Sequence, residues 1–425
     1  MSGYQIPYGG KTITCAPENV IFHAVAQWPP YPEDPDVLIE RALDTPIGAP
    51  PLDTLIHVGS KVALIVDDIT RPTPRQQILR HLTARLDAVP EADVSLVIAL
   101  GTHRPMTEAE IRSDLGVFAD KYPVVNISYL DRDRFVSAGK MPDGTDIMVY
   151  REVMEADVVI GIGNIVPHIA AGWGGGAKII MPGICGEATT NAIHNISNTQ
   201  QDMLLTCGST DNLFRRTMED LAARVGLSWI VNTVLDQKGG IRGVFAGDFI
   251  AAHRAGVAFA EKTLCPEIPE AADILIVSAD PANADFWQGA KPFIFAHRAV
   301  KKGGVMILLL SAELGICGCA PAHEKTIRKY YNAPAETLRR VIADATEKDI
   351  IGVGEAFIRV QTKDYCTVLL VSRGISAEDA RLLGFEKVPS LEEALEKAYM
   401  LKGRDASVGI IPYGGETLCR VVRTT

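Results

Sequence analysis

The sequence predicts an α/β protein of two domains, each built on a largely parallel sheet with flanking helices. Short β-branched runs alternate with amphipathic helical segments along the chain, a pattern typical of parallel sheets covered on both faces. The 425 residues and 47% hydrophobic content are enough for two cores, since a domain typically takes about 100–200 residues. A Pro- and Glu-rich stretch, Cys265 to Ala271, is the best candidate for a linker between them.

We therefore expect an N-terminal catalytic and cofactor-binding domain over residues 1–266 and a C-terminal α/β domain over residues 272–425. We also expect roughly the last 15 residues to pack back on the N-terminal domain.

Local signals predict the elements of the first half. A helix is expected near Pro74 to Asp87, and another from Glu108 to Leu115, because Thr107 can cap its first turn. Four β-branched runs bounded by turn residues predict strands. They are Val62 to Val66, Val94 to Leu100, Val124 to Ser128 and Asp157 to Ile160.

The second half starts a new series of the same kind. Strands and helices again alternate, as expected for a parallel sheet. In chain order the predicted elements are strand Asp273 to Val277, a helix near Lys291 to Lys301, strand Val305 to Leu310, a helix from Ala335 to Ala345, strand Thr367 to Ser372 and a helix from Leu391 to Leu401.

Composition excludes several classes of partner. The formal net charge of -10, with no cluster of Lys and Arg, argues against nucleic acid and anionic membranes. The longest apolar runs, such as Val305 to Leu310, are much shorter than the ~20 residues that cross a bilayer. We expect a cytoplasmic protein that acts on small molecules.

The eight cysteines lack paired Cys-x-x-Cys spacing and indicate a reducing compartment. Cys317 and Cys319 allow two interpretations, a soft-metal site or small buried thiols beside a glycine, and the second is far commoner. We leave both residues out of the predicted site.

Polar residues recur where the predicted strands end. In open parallel sheets, ligands bind beyond the carboxyl ends of the strands. Three strands of the first half are each followed by such residues, which therefore converge on one edge. The segments are Asp67-Asp68-Ile69-Thr70-Arg71-Pro72, Gly101-Thr102-His103-Arg104-Pro105, and Gly161-Ile162-Gly163-Asn164 with Pro167-His168.

A glycine-rich loop carries the strongest single signal. Gly174, Gly175 and Gly176 stand between Trp173 and Ala177-Lys178. Bare glycine backbone lets a phosphate or a planar ring approach closely, and a lysine can hold a cofactor covalently. Ordering such a loop costs about 1 kcal/mol or more per residue. These residues indicate an enzyme with a phosphate-bearing or covalently held cofactor.

Single residues at the strand ends also have ordinary explanations. His103 and His168 are either loop histidines bonded to backbone or functional groups, and their positions favour function. Arg71 either anchors its loop to Asp67 or Asp68 or binds a substrate carboxylate in bidentate fashion. The residues alone leave both possibilities for Arg71 open.

Taken together, the ordered motifs resemble the nickel-pincer-dependent lactate racemase family, whose members racemise or epimerise 2-hydroxy acids. The resemblance covers essentially the whole chain. It is carried by Asp68-Ile69-Thr70-Arg71-Pro72, Gly101-Thr102-His103-Arg104-Pro105, Pro167-His168, Gly174 to Lys178 with Pro182-Gly183, Ile193-His194-Asn195, and Gln288-Gly289-Ala290-Lys291.

The resemblance implies a cofactor and its protein ligands. The family's cofactor is nickel held by a pyridinium-3,5-bisthiocarboxylic acid mononucleotide, which is made by cofactor-assembly enzymes and tethered to a lysine. Lys178 matches that lysine, and His194 matches the histidine that ligates nickel, for which neutral imidazole is suitable. For the cofactor's phosphate and ribose, the candidates are Asp68, Thr70 and the amides of Gly174, Gly175 and Gly176.

The resemblance also implies the chemistry. Hydride moves to the cofactor while a base takes the hydroxyl proton, and His103 and His168 match the acid/base pair, one for each enantiomer. Arg71, Gln288 and Lys291 are implied as substrate-binding residues, the last two reaching in from the second domain, so that the active site is an interdomain cleft.

The residues leave the substrate unidentified. Relatives act on lactate, malate, longer hydroxy acids and sugar acids, and Trp287 stands where another aromatic residue, commonly tyrosine, is expected in lactate racemases. Two alternatives remain. An NAD(P)-dependent dehydrogenase lacks support because Gly161-Ile162-Gly163 has no third fingerprint glycine. A non-catalytic nickel- or nucleotide-binding protein would need Lys178 and His194 but neither His103 nor His168.

Overall fold

Two sheets, both mainly parallel, carry the fold, as the sequence predicts. The computed structural model describes residues 3–31, 33–141, 143–199, 206–344 and 346–422. Within these residues each of the two sheets has six strands. The first sheet has the order Ile241–Gly247, Leu227–Leu235, Val158–Asn164, Lys61–Asp67, Asp93–Ala99 and Val124–Val125. The second has the order Glu386–Lys387, Thr367–Val371, Val300–Leu309, Ala272–Ser278, Val408–Ile411 and Val20–His23.

Helices and short strand pairs surround the two sheets. The two-stranded pairs are Tyr4–Tyr8 with Lys11–Cys15, Phe135–Lys140 with Asp146–Tyr150, Pro167–His168 with Gly172–Trp173, and Glu267–Ile268 with Arg420–Val421. The α-helices are Pro35–Asp44, Arg75–Leu86, Glu108–Leu115, Phe118–Lys121, Arg151–Met154, Glu187–Thr199, Leu213–Val225, Ala251–Leu264, Phe286–Gly289, Lys291–Phe295, Glu324–Tyr330, Ala335–Ala343, Ile350–Tyr365, Ala377–Leu382 and Leu391–Lys402.

The predicted elements form for the predicted reasons. The strand Lys61–Asp67 is buried along both faces from Val62 to Val66, as a central parallel strand between helical layers must be. Thr107 forms a capping box at the start of Glu108–Leu115, which satisfies two backbone N–H groups that the helix leaves free. None of the helices in the described part of the chain has the length and apolar character needed to cross a membrane.

Some boundaries differ from the prediction. The helix expected near Lys291 to Lys301 ends at Phe295, and after one 3₁₀ turn the chain enters a strand at Val300. The helix stops short because Val300 pairs with Ala272 in the second sheet. The run Val124 to Ser128 pairs only at Val124–Val125. The helix from Ala335 ends at Ala343, and residue 345, where we expected its end, lies outside the described residues.

The N-terminal residues belong to the sheet of the second half, unlike the predicted division at residues 266–272. Val20–His23 pairs in parallel with Val408–Ile411, and Ile6 and Tyr8 lie in the same apolar core as Ile274. The free energy gained by burying these apolar side chains in the core of the second half places them there, although they are close in sequence to the first half. Near the end of the chain, Arg420–Val421 pairs with Glu267–Ile268 inside the predicted linker.

One apolar core bridges the two halves. It includes Ile165 and Trp173 from the first half and Leu275 and Phe286 from the second. A helix pair also crosses between the halves, because Ile350–Tyr365 packs on Glu187–Thr199. These contacts fix the walls of the cleft between the sheets.

Candidate functional site

A cavity of about 170 Å³ lies between the two halves, beyond the carboxyl ends of the first sheet's strands. Most of the predicted site residues line it. They are Asp68, Arg71, His103, His168, Gly174, Gly175, Lys178, His194, Gln288 and Lys291. The structure separates two others from this group. Thr70 lines an adjoining cavity of about 320 Å³, which shares Asp68, His103 and Gln288 with the first. Gly176, the last glycine of the loop, is buried and lines neither cavity.

Topology explains this convergence. Asp68 follows the strand Lys61–Asp67 directly, His103 follows Asp93–Ala99, and His168 follows Val158–Asn164. These strands are adjacent and parallel, so their carboxyl ends meet at one edge. Gly161 and Gly163 lie inside a strand, not in a strand–helix turn. The glycines therefore do not form a dinucleotide-binding turn.

His103 is oriented by Asp68. The two side chains approach to 2.5 Å between Nδ1 and Oδ2, while Thr70 Oγ1 donates to the other oxygen of Asp68 at 2.5 Å. Burial alone would raise the pKa of Asp68, but the charge and hydrogen bond of His103, together with Arg71, lower it well below its usual range. A carboxylate at Nδ1 leaves Nε2 of His103 as the proton acceptor. Both predicted cofactor-binding groups, Asp68 and Thr70, are thus engaged with this histidine.

His168 has a different environment. Its Nδ1 accepts a hydrogen bond of 3.2 Å from the N–H of Ala171, which places the proton of the neutral ring on Nε2. Burial, and then the charges of Lys178 and Lys291, lower the pKa of His168 well below its usual value. The two histidines therefore present opposite groups: His103 offers an acceptor and His168 offers a donor.

Lys178 carries its amine into the cavity at the end of the glycine loop. Burial lowers the pKa of Lys178 to about 7, helped by the charges of Arg71 and Arg215. A substantial fraction of the amine is therefore neutral and nucleophilic near pH 7. Gly175 has a φ of +75°, and a Cβ there would lie 2.6 Å from Asn232 Oδ1. Only glycine fits this position.

Buried cationic and imidazole groups hold the carbonyls of this loop. Arg215 is fully buried and donates to the carbonyls of Ala171, Trp173 and Gly175. His253 Nε2 donates to the carbonyl of Gly174 at 2.8 Å. These bonds fix the loop in one conformation.

Two of the three predicted glycine amides already have partners. The N–H of Gly174 donates to Val166 O at 2.7 Å, and that of Gly176 donates to Asn232 Oδ1 at 2.7 Å. A phosphate at this loop would therefore take other donors. Asn164 lines the cavity, is 3% exposed and has an Nδ2 group with no hydrogen-bond partner among the described residues. Such a buried donor suits a polar ligand.

His194 is placed as a neutral ring, and only its Nδ1 has a hydrogen-bond partner among the described residues. Its Nδ1–H donates to Thr190 O at 2.7 Å, one turn earlier in the helix Glu187–Thr199. Burial lowers the pKa of His194 to about 4, so the ring stays neutral at physiological pH. Fixing Nδ1 by a backbone carbonyl is the usual way that a protein directs Nε2 to a metal.

Arg71, Gln288 and Lys291 complete the polar lining from both halves. Arg71 lies 3.5 Å from Gln288 Oε1, and Gln288 Nε2 lies 3.0 Å from His103 Nε2. Burial, then Arg71 and Lys178, lower the pKa of Lys291 to about 7. Arg71 and Lys291 give the cavity basic side chains that suit a carboxylate.

Sequence reasoning missed several buried polar residues that support the site. They include Asn164, Asn232, Arg215, His253 and the Arg75–Asp67 ion pair. Arg75 and Arg215 each lie in the first turn of a helix, where an arginine gives no sequence signal of burial. Asn164 is different, because it ends a strand at the edge where the site forms, and that position is a usable signal. Cys317 and Cys319 are buried free thiols, and no group of three or more His, Cys, Asp or Glu in the described ranges is arranged to hold a metal ion.

Comparison with known proteins gives consistent matches along the chain. Residues 8–204 match the profile of the lactate racemase N-terminal domain, and residues 269–418 match that of the lactate racemase C-terminal domain. The lactate racemase of Lactiplantibacillus plantarum is 30% identical over 422 residues, covering 97% of this chain and 99% of the relative. That of Thermoanaerobacterium thermosaccharolyticum is 26% identical, covering 99% of this chain and 100% of the relative.

Solved structures agree on the fold. The lactate racemase apoprotein from T. thermosaccharolyticum superposes with a TM-score of 0.86 at 24% identity, covering 99% of this chain and all of the other. A Thermotoga maritima protein superposes with a TM-score of 0.73 at 18% identity, covering 92% of this chain and 99% of the other.

Proposed function

The chain belongs to the lactate racemase family and is an isomerase, and from this premise we propose that it racemises or epimerises a 2-hydroxy acid, with lactate as the reference substrate. The observation that supports this most directly is the convergence of His103, His168, Lys178 and His194 on one cavity with Arg71. The cavity offers proton-transfer groups, a nucleophilic amine, a neutral imidazole and an anion-binding side chain within one enclosure.

We further propose that the cofactor is the nickel-pincer nucleotide, and the residues fit it. Lys178 would carry it covalently, and His194 Nε2 would ligate nickel, because Nδ1 is already engaged. The Nδ2 of Asn164, which has no hydrogen-bond partner among the described residues, would serve its polar groups. When bound, the cofactor supplies a reversible acceptor for the hydride on the substrate's α-carbon.

The substrate carboxylate would bind to Arg71 and Lys291. Both are cationic groups of the cavity lining, and they come from different halves of the chain. Burial makes their interaction with an anion stronger than it would be in water. Binding an anion would also favour the charged form of Lys291, whose pKa burial lowers to about 7. Gln288, between Arg71 and His103, would orient the hydroxyl group.

His103 would take the hydroxyl proton. Its Nε2 is the accepting nitrogen because Asp68 lies at Nδ1, and Asp68 stabilises the imidazolium that forms. The substrate must replace the amide of Gln288, which lies 3.0 Å from this nitrogen. His168 would serve the opposite enantiomer, and it must give up the bond from Ala171 before its ring can accept a proton at Nε2.

We also propose a cytoplasmic setting and dependence on cofactor-assembly enzymes, since a covalently attached nucleotide has to be made and delivered.

The catalytic unit would be mainly residues 24–266. Residues 272–425, together with the N-terminal strand, would supply the facing wall that carries Gln288 and Lys291.

Intact mass spectrometry of protein made together with cofactor-assembly enzymes tests this proposal. We expect a covalent adduct in the parent chain and in Lys325→Ala, which changes an exposed lysine, but not in Lys178→Ala. The adduct-bearing protein should interconvert D- and L-lactate, followed by optical rotation. An unmodified mass in the parent chain, or an adduct that survives in Lys178→Ala, would contradict the proposal.

A further inference from the structure

A stack of two rings stands at the cavity wall, and a third ring, tilted by 32°, lies beside it from the first half. Trp287, which lines the cavity, lies parallel to His323 with ring centroids 4.5 Å apart and an angle of 8°. On the same histidine, the ring of Tyr129 from the first half lies at 6.4 Å. His323 is 1% exposed, so solvent cannot hold its ring in place.

Asp349 anchors this stack. Its Oδ1 accepts a hydrogen bond of 2.8 Å from His323 Nδ1 and one of 3.0 Å from the N–H of Gly352. The second bond caps the helix Ile350–Tyr365. One carboxylate oxygen therefore ties the ring stack to the start of this helix. The backbone of Trp287 is tied as well, because its carbonyl accepts from Arg359 at 3.1 Å.

The same helix forms a second wall of the cavity. The residues that line it are Ile351, Gly354, Glu355 and Ile358, a spacing of i, i+3, i+4 and i+7 that corresponds to one helical face. Gly354 is required where this helix meets Asn198, since a Cβ would lie 2.0 Å from its Oδ1. The helix therefore cannot shift freely relative to the helix that carries His194.

We propose that Trp287, held by His323 and Asp349, forms with the face Ile351–Ile358 the compartment that receives the side chain of the 2-hydroxy acid, and that this compartment selects apolar side chains. The inference rests on the proposed function and specifies its substrate class. It makes Trp287 a specificity-determining residue, and it makes His323 and Asp349 positioning residues.

The chemistry of the lining gives the direction of selection. An indole and two isoleucines gain from burying methylene groups but offer few partners for the hydroxyls of a sugar acid, and an unpaired buried hydroxyl is costly. Glu355 is the acidic group on this face and lies 3.0 Å from Arg359. A second substrate carboxylate, as in malate, would have to compete with Glu355 for this guanidinium.

The test compares single enantiomers of lactate, 2-hydroxybutyrate, 2-hydroxyvalerate, malate and gluconate with the adduct-bearing holoenzyme. We expect kcat/KM to rise by about fourfold per added methylene, from the transfer free energy of a CH₂ group. Malate and gluconate should be at least about 100-fold poorer than 2-hydroxyvalerate.

Variants distinguish a change in substrate selection from a general loss of activity. The quantity compared is the ratio of kcat/KM for two substrates on the same protein, and a general loss of activity leaves this ratio unchanged. In Trp287→Ala and His323→Ala, the ratio of kcat/KM for 2-hydroxyvalerate over lactate should fall by about tenfold. His323→Phe keeps a ring in the stack and Asp349→Asn keeps both accepted hydrogen bonds, so each should retain most of the ratio. His57→Ala, which changes an exposed histidine, is the control.

A preference for malate or gluconate, or an unchanged ratio in Trp287→Ala, would overturn the inference while leaving racemisation of lactate intact. If all five acids are inert on protein that carries the Lys178 adduct, the proposed function fails and the inference fails with it.

Discussion

Replacing Lys178 by methionine should stabilise the protein made without its cofactor, and by an amount that depends on pH. Methionine is about as long as the lysine stem and removes the buried charge. Burial lowers the pKa of Lys178 from 10.5 to about 7. The unfolded chain therefore binds this proton up to pH 10.5, whereas the folded protein binds it only below about pH 7.

The magnitude follows from linkage. Each tenfold change in proton affinity is worth about 1.4 kcal/mol, so at pH 7 the depressed pKa of Lys178 opposes folding by on the order of 4 kcal/mol. Because ordinary lysines also lose their protons near pH 10.5, the penalty shrinks to about 1 kcal/mol at pH 9.5. Structural relaxation reduces both values. We expect Lys178→Met to raise the free energy of unfolding by about 2–4 kcal/mol at pH 7 and by about 1 kcal/mol or less at pH 9.5.

Urea unfolding of both proteins at several pH values between 6.5 and 9.5, followed by circular dichroism, measures this difference. Lys325→Met, on an exposed helical position, should show little change in stability at any pH. A stabilisation by Lys178→Met that does not vary with pH, or a loss of stability at pH 7, would refute the assignment of a buried amine with a lowered pKa.

Two further predictions concern the groups behind the site. Asp68→Asn should lower kcat by about 10²- to 10⁴-fold with a smaller change in KM, because His103 loses the carboxylate that fixes its tautomer and stabilises its charge. Steady-state racemisation kinetics measure both constants, and an unchanged kcat would contradict the role of Asp68. Arg215→Met should destabilise the protein by about 3 kcal/mol or more, because the carbonyls of Ala171, Trp173 and Gly175 lose their hydrogen-bond donor. Thermal unfolding measures this loss, and a melting temperature equal to that of the parent chain would show that other contacts hold the loop.

Much of the fold is predictable from local pattern. Val62 to Val66 is a short apolar run bounded by turn residues, and its two-sided burial follows from the helices on either side. The last two strands of the first sheet are different. The run Leu227–Leu235 is buried except at Ser228, and periodicity alone does not distinguish such a run from a buried helix. Its antiparallel partner at the edge of the sheet, Ile241–Gly247, is also absent from the sequence prediction.

The site is predictable to the extent that the topology of a parallel sheet dictates it. Strand-end positions indicate that His103, His168 and Arg71 share one edge, and they line one cavity. The hydrogen-bond partners of the two histidine rings are not predictable in this way. That Asp68 lies against His103, and that Ala171 donates to His168, depend on loop conformations that spacing does not determine. The burial of Arg215 and the stacking of His323 on Trp287 depend on tertiary packing for the same reason.

The pairing of Val20–His23 with Val408–Ile411 has a consequence for how the protein is made. All strands of the first sheet lie between these two strands along the chain, so they are synthesised before Val408–Ile411 can pair with Val20–His23. The second sheet therefore cannot be completed until well after the first, and closing so long a stretch of chain is slow. The wall that supplies Gln288 and Lys291 is thus among the last parts to mature, so a nascent chain with an intact first sheet still lacks a closed reaction chamber.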